Sequence, residues 1–156
     1  MIPPNFESPL HEMATTTPTQ FWNDSCSVSE LRHAIAHGAV GATANPVICG
    51  EVLKKELTEW TEPIKRIVSE MPVATEDEIT WKVVEEISIS AAKLLAPIHA
   101  GGDGRKGRLS IQTDPRYFRD PARMVEQAAH FDTLAPNIIV KIPVTEAGVK
   151  AIEEAT

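Results

Sequence analysis

Along most of the chain, short apolar runs alternate with stretches whose apolar residues recur every three or four positions. Strands followed by amphipathic helices give this rhythm, and repeated strand–helix units build a parallel sheet. The first strand falls at Gln20–Asp24. The helix after it opens at Ser27, with Glu30 at the spacing of a capping box, and carries Val28, Leu31 and Ile35. Gly38 stops that helix, and Ala39–Thr43 form a second strand kept extended at its end by Asn45 before Pro46. Leu53, Leu57, Trp60, Ile64 and Ile67 predict a helix that Pro63 kinks or divides. Thr75 and Glu78 form a second box opening a helix with Ile79, Val83, Ile87, Ala91 and Leu94 on its core face, closed by Pro97. Arg108–Thr113 alternate polar and apolar residues as a third strand. Asp120-Pro121 then starts a helix through Met124, Val125, Ala128 and Phe131 to about Leu134. Ile138–Pro143 form a fourth strand broken by one charge, and Thr145 caps a last helix with Val149 and Ile152. Before all of these, Met1–Pro18 hold Pro3, Pro4, Pro9, Pro18 and a run from Thr15 to Thr17, predicting an irregular lead-in rather than a core element.

Four such units would curl as half of a (β/α)8 barrel of the TIM type, whereas a closed barrel needs about 250 residues. The chain has 156 residues, so the expected fold is α/β, with an irregular segment at 1–18 and the N-terminal half of a barrel at 19–156. The exposed edges of a half barrel must pair with something, either a second copy or a missing C-terminal half. A net charge of -7 argues against a nucleic-acid partner, which would select clustered Lys and Arg. Nothing in the sequence spans a membrane. The first residues show no targeting pattern, so a cytoplasmic location is expected. Cys26 and Cys49 are too few for a disulfide framework and are expected to be free thiols.

Parallel sheets place their chemistry at the C-terminal ends of the strands. The polar residues ending the four strands are Asp24, Asn45, Gln112 and Lys141, which would face one mouth. Lys141 is the most informative. Flanked by Ile138, Ile139, Val140 and Ile142, it would lose hydration, its pKa would fall, and a neutral amine could add to a carbonyl and form an iminium. The structural alternative is an edge-strand gatekeeper whose ammonium reaches water. Asp24 could move a proton at a substrate hydroxyl or merely cap the next helix. Asn45 could hold a hydroxyl or serve only as a turn residue before Pro46.

Other patterns carry less. Gly102–Gly107 match G-x-G-x-x-G but precede a strand, whereas the dinucleotide fingerprint follows one. His33 and His37, four apart on a helix, lack a third ligand and fit a solvated face. Neither metal nor organic cofactor is expected.

The segment Gly41-Ala42-Thr43-Ala44-Asn45-Pro46-Val47-Ile48 resembles the first signature of the transaldolase family, a Thr-x-Asn-Pro stretch on the second strand. Ile139-Val140-Lys141-Ile142-Pro143-Val144-Thr145-Glu146-Ala147-Gly148 is similar to the second signature, where a strand-four lysine forms the Schiff base and a Thr-x-x-Gly turn follows. Trp22-Asn23-Asp24-Ser25 occupies the place of the family's strand-one aspartate. The resemblance runs from about Gln20 to Thr156. It implies a TIM barrel, with Lys141, Asp24 and Gln112 as catalytic residues, Thr43 and Asn45 binding substrate, and sugar phosphates as substrates. Leu109-Ser110-Ile111-Gln112 departs from the pattern, because transaldolases usually carry a glutamate where Gln112 stands. Fructose-6-phosphate aldolases of the same family carry glutamine there. Arg105, Lys106 and Arg108 precede the third strand and would lie at the end of the barrel away from any phosphate clamp.

The expected function is a transaldolase-like transfer of a dihydroxyacetone unit from a ketose phosphate to an aldose phosphate in the pentose phosphate pathway. A fructose-6-phosphate aldolase-like lyase and a catalytically incomplete half barrel are the alternatives.

Overall fold

Among the described residues, three strands pair in parallel, in the order in which the chain makes them. They are β1 (Gly41–Ala44), β2 (Arg108–Gln112) and β3 (Ile138–Lys141). The computed structural model describes residues 5–102 and 104–156. Met1–Pro4 of the lead-in and Asp103 of the Gly102–Gly107 loop lie outside the described residues. The first expected strand, Gln20–Asp24, contracts to a single parallel bridge between Asn23 and Ala42. Backbone bonds still carry this segment along β1: Val40 N donates to Phe21 O (3.0 Å), Asn23 N to Gly41 O (2.9 Å) and Thr43 N to Asn23 O (3.0 Å).

The helices are α1 (Pro9–Thr16), α2 (Val28–Ala36), α3 (Pro46–Lys55), α4 (Leu57–Glu70), α5 (Glu76–Ala100), α6 (Pro121–Asp132) and α7 (Glu146–Ala155). Four expectations need correction. The lead-in is not wholly irregular: Ser8 caps α1 and Pro9 occupies its first turn, although α1 buries no residue. It rests on the end of α2, where His37 Nε2 meets Glu7 Oε2 at 2.8 Å. Ser27 caps α2, but Glu30 turns away to Lys55 at 2.7 Å instead of closing a box. The helix break falls at Glu56, not at Pro63, which stays inside α4. A proline within a helix costs about 3 kcal/mol or more. Trp60 and Ile67, both buried on α4, oppose that cost by burial of roughly 1.5–3 kcal/mol per large apolar side chain. Likewise Pro97 does not close α5, because Gly101 N still donates to the Pro97 carbonyl at 3.0 Å and the helix runs to Ala100. At Thr75 the box is complete, with side chain and backbone exchanging bonds with Glu78. Among the described residues, no helix is long and apolar enough to cross a membrane.

Alternation along each strand divides the sheet into two chemically different faces. Ala42, Ala44, Leu109 and Ile111 are fully buried at 0% exposure, and Ile138 is at 2%, packed in the core with α5 and Phe131 of α6. The opposite face carries Gly41, Thr43, Ser110, Gln112, Ile139 and Lys141. It is largely polar and becomes more open toward Lys141. A chain that follows this order of strands and crossover helices places every strand end, and so every candidate residue, at one side of the sheet.

Candidate active site

Register fixes how the candidates sit on the polar face. Thr43 pairs with Ser110, and Ser110 with Ile139, making one row. The Asn23–Ala42 bridge brings Asp24 level with Thr43. There Thr43 Oγ1 donates to Asp24 Oδ1 at 2.6 Å, which aims the exposed carboxylate. The next row, at the C-terminal ends of the strands, pairs Gln112 directly with Lys141. Asn45 follows β1 at the same level. Its Oδ1 accepts from Ile48 N at 2.9 Å as the cap of α3, a structural role other than the turn before Pro46 expected as the alternative, while its amide NH2 takes no part in the cap.

The lower part of this face is filled rather than open. A Cβ on Gly41 would stand 2.5 Å from the indole carbons of Trp22, so only glycine lets that ring lie across the strand. Trp22 thus floors the region beneath Asp24 and Thr43.

Lys141 differs from its expectation. It is exposed, and Ile139, Val140 and Ile142 around it are only half-buried. The reason is topological: β3 pairs with β2 on one side, while its other side lies open along a groove of about 850 Å³. Ile138, Ile139, Val140 and Ile142 line that groove together with Val125 and Ile152 of the flanking helices. The apolar neighbours are present, but in this chain they form one wall rather than an enclosure.

The end of β3 is nonetheless held firmly. Thr145 Oγ1 accepts from Gly148 N at 2.9 Å and donates to Phe118 O at 2.8 Å, joining the loop after β3 to the loop after β2. A Cβ on Gly148 would run into the Pro143 carbonyl, which explains the glycine of the Thr-x-x-Gly turn. At the start of β3, buried Asn137 donates to Ala92 O and Gly107 O, both at 2.8 Å.

A cluster that the sequence reading missed braces the end of β2. Asp114, 1% exposed, accepts from the Arg116 guanidinium, from Arg116 N at 2.9 Å and from Trp81 Nε1 at 3.0 Å. Burial alone pushes the Asp114 carboxyl up, but these donors outweigh it and hold it below the usual carboxylate range. Arg116 is held above its ordinary value by Asp114 and Asp77. The signal was the Asp114-Pro115-Arg116 step, a capped turn directly after a strand. Arg108 lies at the N-terminal end of β2, away from the candidate row, as its position in the chain foretold.

The family model described as Transaldolase/Fructose-6-phosphate aldolase matches residues 21–156. The chain belongs to that family. Within it, the chain is similar to the Transaldolase of Thermobifida fusca, 29% identical over 162 residues, which cover 95% of this chain and 41% of the relative. Transaldolase 1 of Streptomyces avermitilis is 31% identical over 133 residues, 80% of this chain and 33% of the relative. Transaldolase 1 of Streptomyces coelicolor is 31% identical over 123 residues, 74% of this chain and 30% of the relative. This transaldolase-family chain therefore spans well under half the length of these curated relatives.

Proposed function

We propose that this chain carries the Schiff-base half of a transaldolase-type active site, on four units of a (β/α)8 barrel. Lys141 adds through its unprotonated amine to the carbonyl of a ketose phosphate. Loss of water gives an iminium that accepts the electron pair released when the neighbouring C–C bond breaks. Asp24 takes the proton from the hydroxyl whose carbon leaves as an aldehyde, and returns one when the dihydroxyacetone unit is passed to an aldose phosphate. Asn45 and Thr43 hold substrate hydroxyls or Asp24 itself, and Gln112 orients water without accepting its proton.

The observation that carries this reading is the pairing of Gln112 with Lys141 at the end of the polar face, one row beyond the Thr43–Asp24 hydrogen bond. Geometry also states what the reaction needs. Asp24 and Lys141 stand three strand positions apart, about 14 Å in a flat sheet at roughly 4.8 Å per strand. Both can reach one small sugar only if the sheet curls and its polar face turns inward. Curling into a barrel also supplies the missing walls around Lys141. Strands beyond the three seen here would cover the groove beside β3 and strip water from the amine. The greater length of the curated relatives supports this requirement.

Incubation with fructose 6-phosphate followed by borohydride tests the assignment. A reduced dihydroxyacetone adduct should appear by mass spectrometry on Lys141 and vanish in Lys141→Met. Labelling of a different lysine, or none at saturating sugar phosphate in a protein that also carries the strands closing the barrel, overturns the reading.

A further inference from the structure

Cys26 and Cys49 are used by neither the fold's caps nor the proposed reaction, yet the structure brings them together. Their Sγ atoms lie 3.8 Å apart across 23 residues of sequence, and each residue is only 1% exposed. Cys26 stands in the non-helical stretch between Asp24 and the α2 cap Ser27, and Cys49 lies in the first turns of α3, whose cap is Asn45. Both segments therefore belong to the strand ends that present the candidate residues.

We propose that Cys26 and Cys49 form a reversible dithiol–disulfide pair, a redox modification site that ties the loop after Asp24 to the helix capped by Asn45. A disulfide needs an S–S separation of about 2.05 Å. The sulfurs must therefore close by less than about 2 Å, within reach of a side-chain rotation and a small shift of the loop. With hydrogen peroxide as oxidant, one thiolate displaces hydroxide from the O–O bond and becomes a sulfenic acid. The second sulfur then attacks the first, the S–S bond forms and the sulfenic hydroxyl leaves as water. Two thiols and one peroxide thus give one disulfide and two waters, and a dithiol reductant reverses the change.

Contact between the sulfurs makes the second step intramolecular, so it outruns further oxidation of the sulfenic acid. The first step is slow in the closed protein. The hydrogen bond with Cys49 and burial push the Cys26 thiol up, so its thiolate is scarce. The pair is accordingly a slow, selective sensor rather than a reactive surface thiol. Its chemistry is independent of Lys141, so the outcome below stands whether or not the Schiff-base reading does.

The protein is treated with dilute hydrogen peroxide and then alkylated, and its intact mass and non-reduced peptides are recorded. The expected result is loss of both alkylatable thiols and of two hydrogen masses, with a Cys26–Cys49 cross-linked peptide that dithiothreitol abolishes. The urea midpoint of the oxidised form should rise and return on reduction, because the cross-link constrains the unfolded chain. Cys26→Ser and Cys49→Ser should give no internal cross-link and should add oxygen at the remaining thiol. Retention of both thiols in the wild-type protein, oxygen addition without cross-linking, or cross-links only between molecules would each overturn the proposal. The wild-type measurement decides the matter even if a serine variant fails to fold.

Discussion

Thr43 donates its hydroxyl hydrogen to Asp24 at 2.6 Å, joining β1 to the segment that runs beside it on the polar face of the sheet. If Asp24 moves the proton at the breaking bond, Thr43 is its positioning residue. Thr43→Val should lower kcat about 10-fold, a part of the 10²–10⁴-fold associated with positioned acid–base groups. Thr43→Ser should restore most of it. Borohydride trapping on Lys141 should persist in Thr43→Val, because the iminium forms before the C–C bond breaks. Loss of trapping together with turnover would assign Thr43 to the fold instead.

Gln112 is the register partner of Lys141 and lacks the proton-accepting oxygen of a carboxylate. Gln112→Glu should raise transfer to an aldehyde acceptor relative to release of free glyceraldehyde 3-phosphate, by about 10-fold on the scale of general base catalysis. The ratio is read from product analysis with and without acceptor, and an unchanged ratio would remove Gln112 from the water-handling role.

Asn137 is 2% exposed and satisfies two carbonyls, one on α5 and one at the turn before β2. Asn137→Ala should destabilise the protein by about 2–4 kcal/mol through lost donors and orphaned buried acceptors. Asn137→Asp should be no better, since it keeps the shape and removes the NH2. Urea titration measures both.

Asp114 sets an acid limit on stability. Its carboxyl titrates lower in the folded protein than in the unfolded chain, so its contribution is complete above the unfolded value, about 3.9. That contribution disappears as pH falls through the depressed folded value. Asp114→Asn should cost about 2 kcal/mol near neutral pH, the scale of a hydrogen bond to a charged group. The modest figure reflects an Arg116 that is 54% exposed and screened by water. The variant should also show a shallower loss of stability below pH about 4 than the wild type. Parallel acid limbs would assign the effect to other carboxylates.

What the sequence disclosed follows from how local each signal is. The Thr75–Glu78 box and the caps at Ser27, Asp120 and Thr145 depend on residues within one turn, and they appear where the spacing put them. Ser8-Pro9 was the same kind of signal as Asp120-Pro121, hidden among other prolines and a threonine run. The local penalty of Pro63 and Pro97 predicts a break at each, whereas burial of the helix faces keeps both prolines inside α4 and α5. The strand-end rule places Gln112 and Lys141 at the C-terminal ends of paired strands, as the register has them. It could not reveal the Thr43–Asp24 bond, the Trp22 floor over Gly41 or the Cys26–Cys49 contact, all set by side-chain directions across strands. The dryness expected of Lys141 failed for a similar reason: neighbours in sequence supply apolar surface, but enclosure requires neighbours in space.

The two faces of the sheet separate the buried support from the candidate residues. Ala42, Ala44, Leu109 and Ile111 anchor the strands from behind, while Thr43, Gln112 and Lys141 in front lie outside that apolar cluster. Substitutions on the forward side can therefore be compared as a series on a common buried support, with a urea titration of each variant separating lost chemistry from a change in folding.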